Sequence, residues 1–79
     1  MNDATKRTIK ILQGLDQELF QFSLGNQENY GKIIFTVRWL NKNLEQPAIF
    51  ELIDTIYLSY ADTIKALLKE PYLDPKTNA

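Results

Sequence analysis

The chain has 79 residues, nine Lys plus Arg against ten Asp plus Glu, a formal net charge of −1, and neither histidine nor cysteine. Those absences exclude disulfides, thiolate metal sites, thiol catalysis and an imidazole base. The length leaves room for a single core, because a domain of ~60 residues buries only about 60% of its unfolded surface.

After Asp3, apolar residues recur as Ile9, Leu12, Leu15, Leu19 and Phe22, spacings of three or four that put them on one side of a helix. A first helix is predicted over 4–24, with Asp3 as N-cap. Ile11 and Phe20 widen its stripe at the two margins. Thr8, near the middle, can satisfy its hydroxyl on a preceding backbone carbonyl. Asp16 falls at the edge of the apolar arc, where its carboxylate either pairs with a base from the second helix or reaches water.

Ser23 to Asn29 is turn chemistry, with Gly25 able to take positive φ and Asn26 or Asn29 able to cap the next helix. That second helix is predicted over 28–45 on the stripe Tyr30, Ile33, Ile34, Val37, Leu40 and Leu44. The β-branched run at 33–37 would also suit a strand. The stripe outlasts a usual strand, however, and no second segment offers a pairing partner.

Pro47 suits a helix start. Beyond it Ile49, Ile53, Ile56, Tyr57, Tyr60, Ile64, Leu67 and Leu68 predict one long third helix over 47–70, ended by Pro71. Early acids Glu51 and Asp54 and late bases Lys65 and Lys69 match its dipole. The expected architecture is all-α: an antiparallel three-helix bundle over 1–70, followed by a short irregular tail over 71–79 whose Tyr72 and Leu73 are expected to fold back onto the bundle.

Catalytic patterns are missing. Ser23 and Ser59 have no histidine to activate them, and Gly14, Gly25 and Gly31 lack phosphate-loop spacing. The chain therefore reads as non-enzymatic, and no cofactor is implied. Glu51, Asp54 and Asp62 make a carboxylate row without the glycine turn of a calcium loop, so it reads as a solvated face and no metal site is assigned.

Phe35 and Trp39 carry the functional hint. They lie four residues apart on a face turned away from Ile33, Val37, Leu40 and Leu44, with Lys32, Arg38 and Lys42 around them. Such an aromatic and basic patch is enriched at interfaces. It suits docking of an amphipathic protein partner, self-association, or stacking on single-stranded nucleic acid. The competing structural reading is that the second helix is central and both rings are core. Nucleic acid is disfavoured, because residues 1–44 carry six of the nine bases and residues 45–79 carry six of the ten acids on one small body. Leu58, on the polar side of the third predicted helix with Thr55 and Ser59 nearby, marks a second contact through which copies could form a homodimer.

The leading expectation is a small adaptor or regulator that binds another protein through Phe35, Trp39, Lys32, Arg38 and Lys42. In size and helix pattern the chain also resembles the bacteriocin immunity proteins of bacteria, small cytosolic helical bundles without catalytic apparatus. That resemblance implies self-protection as an alternative role, and weak nucleic-acid binding is a third. No apolar run is long enough for a membrane span and no signal-peptide pattern precedes the first helix, so the expected location is the cytoplasm.

Overall fold

A computed structural model describes residues 2–77 of the chain. The described residues form four α-helices: α1 (Asp3–Ser23), α2 (Tyr30–Asn43), α3 (Gln46–Thr55) and α4 (Ala61–Lys69). Short 3-10 turns precede α2 and follow α4, at Gln27–Asn29 and Pro71–Leu73. The all-α expectation holds, while the single third helix over 47–70 is corrected to two helices. In the predicted tail, Asn78 and Ala79 lie outside the described residues.

Helix α1 is capped by Asn2, whose side-chain oxygen accepts the Thr5 amide at 2.8 Å, one residue earlier than the Asp3 cap predicted. Gly25, at φ 101, supplies the left-handed turn that ends the α1 segment. Asn29 precedes α2 but makes no capping bond there; its amide instead reaches back to α1.

The break between α3 and α4 has a tertiary cause. Asp16, on α1, accepts the Ser59 amide at 3.0 Å and the Tyr60 amide at 2.8 Å. The edge carboxylate therefore pairs with neither a base nor bulk water alone. It holds the backbone amides that an interrupted helix would leave unpaired. Around this point the helical phase resets. Tyr57, assigned by periodicity to the apolar face, is 86% exposed, and Leu58, assigned to the polar face, is buried. An outward Leu58 flanked by Thr55 and Ser59 is thereby corrected: the leucine belongs to the core.

One core runs through all four helices. Leu12, Leu15 and Leu19 of α1 meet Ile33, Val37 and Leu40 of α2, Ile49 and Ile53 of α3, and Ile64 and Leu68 of α4. Leu58 from the α3–α4 link and Leu73 from the last turn complete it. Thr8, also buried, donates to the Ala4 carbonyl at 3.0 Å, as its position on the stripe predicts.

The tail packs back through a buried amide. The Asn41 side chain donates to the Leu68 carbonyl at 3.0 Å and to the Leu73 carbonyl at 3.1 Å, and its oxygen accepts from Gln46. Gln46 also donates to the Leu68 carbonyl. These bonds satisfy carbonyls left over at the end of α4 and fix Leu73 in the core. Lys76 adds bonds to the Leu44 carbonyl at 2.9 Å and to Glu45 at 3.2 Å. Leu73 folds back into the core as expected, whereas Tyr72 is 56% exposed; the polar partners that hold the turn sit on α2 and at the start of α3.

Candidate protein-docking face on α2

Helix α2 occupies the middle of the fold, packed by α1, α4 and the Leu73 turn. Its buried residues Ile33, Val37, Leu40 and Asn41 share one arc. At about 100° per residue, Phe35 and Trp39 fall on the opposite arc. Central placement does not bury them: Phe35 is 69% exposed and Trp39 is 37% exposed. The molecule is only 19 Å across its shortest axis, about two helix layers, so the far side of α2 has no third layer to cover it.

The two rings do not stand alone. With Ile11 of α1 and Thr36 they line a shallow apolar cleft between α1 and α2. The Thr36 hydroxyl donates to the Lys32 carbonyl at 2.8 Å and is satisfied within its own helix. Ile11 and Thr36 also belong to the adjoining hollow, which continues past Gly14, Leu15 and Gln17 to Glu18 and Lys32. The result is one crease running between the helices. Lys32 lies beside Glu18 and Thr36 beside Ile11, so residue numbers rise on one helix as they fall on the other and the pair is antiparallel.

Three predicted cations surround the aromatic pair in different ways. Lys32 pairs with Glu18 at 3.3 Å and closes the polar end of the crease. Arg38 lies on the other flank of α2, where its guanidinium donates to the Tyr72 carbonyl at 3.5 Å. Lys42 is exposed in the last turn of α2. The Glu18 carboxyl is held below the usual carboxylate range, chiefly by the Asn29 side-chain amide that donates to it at 3.1 Å, with the Lys32 ammonium adding to the effect against partial desolvation.

Ile11, read from periodicity as a stripe margin, is half-buried and forms a wall of the site. Gly14 was read only as failing a phosphate-loop pattern. A Cβ added there would meet nothing within 4 Å, so nothing inside the chain requires the glycine. The available signal was its position inside a long helix, where Gly costs about 1 kcal/mol relative to Ala.

On the opposite side of α2, Phe22, Tyr30, Ile34, Leu67 and Tyr72 line a second apolar hollow, with the Phe22 and Tyr30 rings 6.2 Å apart. The acidic row divides between helices. Asp54 on α3 pairs with Lys65 on α4, Asp62 sits in the first turn of α4, and Lys65 and Lys69 both lie over the Phe50 ring, at 5.9 and 5.4 Å. Among the described residues no group of three or more acidic side chains is arranged to hold a metal ion, and no helix is long and apolar enough to cross a membrane.

No family model matches the chain, and neither a curated protein nor a solved structure shows significant similarity to it.

Proposed function

We propose that the chain is a non-enzymatic interaction module, an adaptor or regulator that docks another protein on the outer face of α2. The observation that carries this reading is the exposure of Phe35 and Trp39 side by side, opposite the core arc of a helix that the fold otherwise surrounds. Phe35 in water forgoes much of a burial worth about 1.5–3 kcal/mol, and the partly covered Trp39 forgoes a smaller share. A partner that covers them recovers that energy, and aromatic residues backed by cations are the side chains most enriched at such hot spots. Lys32, Arg38 and Lys42 set orientation and speed of encounter more than affinity.

The test is a photo-crosslinking amino acid at Lys42, at the rim of the face, in the cells the chain comes from. A discrete adduct is expected that disappears when Trp39→Ala is added, with helical content unchanged. Identical adducts with and without the tryptophan would refute the assignment. Loss of the helical signal in the variant would show instead that Trp39 is needed for folding.

A further inference from the structure

We infer that the occupant of the α1–α2 crease is an acidic amphipathic helix, an inference that rests on the docking role proposed above and specifies the chemistry of its partner. The argument starts from shape. The crease is a trough between two antiparallel helices, walled by Ile11 and Thr36 and lined at one end by Phe35 and Trp39. From Lys32 to Trp39 it follows α2 for seven residues, about 10 Å at 1.5 Å per residue, which matches the two turns over which a helix presents apolar residues at i, i+3, i+4 and i+7. Trp39 is 37% exposed and forms part of the trough lining beside Phe35. A single strand of nucleic acid would bring its phosphates against a chain of net charge −1, which offers them no overall attraction.

Charge then decides between a foreign helix and a second copy of this chain. Lys32 lines the trough on α2 and the exposed Lys42 lies beyond its Trp39 end, with Arg38 on the far flank, and Arg7 lies one helical turn before Ile11 on α1, towards the Trp39 end of the antiparallel pair. Glu18, already paired with Lys32, is the acidic side chain lining the trough. A two-fold contact of this face with itself would oppose these cations to one another. A partner helix flanked by Glu or Asp meets them with opposite charge. Gly14 adds a place where a backbone can come close, because the space in front of its Cα is empty.

The experiment displays a library of 16-residue peptides with Leu fixed at i, i+3, i+4 and i+7 and with flanking positions varied among Glu, Lys, Gln and Ser, selected against the full chain. Selection should enrich Glu at the flanks. An enriched peptide should shift the fluorescence of Trp39, the chain's one tryptophan, to shorter wavelength and saturate it. Its Lys-flanked counterpart should bind at least about tenfold more weakly. Gly14→Leu, which fills the trough from an open position, should abolish the shift while circular dichroism and melting temperature stay the same or improve.

No enrichment over a Phe35→Ala control, enrichment of Lys, or binding untouched by Gly14→Leu would each overturn the inference. So would a Trp39 shift produced by the chain's own concentration or by single-stranded oligonucleotide in place of peptide. If acidic peptides fail while the cellular adduct still depends on Trp39, the docking role stands and only the helical, acidic partner is wrong. If both fail, the docking role falls as well.

Discussion

The Asp16 carboxylate accepts a 2.8 Å hydrogen bond from the Tyr60 amide across 44 residues of sequence. This bond and its companion to Ser59 stand where periodicity calls for an unbroken helix. Truncation by Asp16→Ala leaves both amides without their charged acceptor and is expected to cost about 1–3 kcal/mol. Asp16→Asn, which keeps one acceptor oxygen, should lose less. Urea unfolding of the two variants checks the order. Equal stability of Asp16→Ala and the parent chain would mean that the break is held by packing alone.

Leu58 and Tyr57 give a paired test of the same break. Leu58→Ala removes a buried side chain and should destabilise by about 2–4 kcal/mol. Tyr57→Ala alters a side chain in water and should stay within about 0.5 kcal/mol. A continuous helix over 47–70 would reverse the two results, so thermal unfolding of this pair discriminates between the architectures.

These residues also show what the sequence could and could not reveal. The stripes Leu12, Leu15, Leu19 and Ile33, Val37, Leu40 were legible because each helix carries its own 3.6-residue repeat. The angle of Phe35 to Val37 likewise turned it off the buried stripe, but whether a neighbouring element covered that far face was not legible from one helix's repeat. The split of the third predicted helix was not legible, because 56–60 contains no Gly or Pro and the group that stabilises the interruption lies on α1. Asn41 was overlooked although it sits beside Leu40 in the buried arc. A polar residue in such an arc signals an internal hydrogen-bond acceptor set, but its partners at Leu68 and Leu73 are defined only after folding.

The buried amide yields a third expectation. Asn41→Leu preserves bulk but strands the Leu73 carbonyl and one Gln46 contact, while the Leu68 carbonyl keeps Gln46 as its donor. Each buried group left unpaired costs about 1–3 kcal/mol, so a loss of at least about 2 kcal/mol is expected in chemical denaturation. Faster amide exchange should accompany it in residues 68–76.

Acid should act on the α1–α2 contact through Glu18. Its carboxyl is held low in the folded chain, first by the Asn29 amide. Its contribution to stability is therefore complete above the ordinary carboxylate pKa and is lost as pH falls through the lower folded value. Carbon-detected NMR titration of the Glu18 carboxyl should show a midpoint that rises when Asn29→Ala removes the donor. An unchanged midpoint would mean that the amide does not face the carboxylate in solution.

Phe35→Ala should leave folding stability within about 0.5 kcal/mol of the parent, since the ring lies outside the core. A loss of 3 kcal/mol or more, about the cost of removing a buried Phe, would place it inside instead. Differential scanning calorimetry on the purified chain distinguishes the two.

Trp39 lies between two residues that both grip the far end of the polypeptide: Arg38 reaches the Tyr72 carbonyl and Asn41 the Leu73 carbonyl. The outer surface of α2 and the Pro71–Leu73 turn, 30-odd residues apart in sequence, are thus joined through one short stretch of helix, and the surface that carries Trp39 is braced by the segment that closes the core.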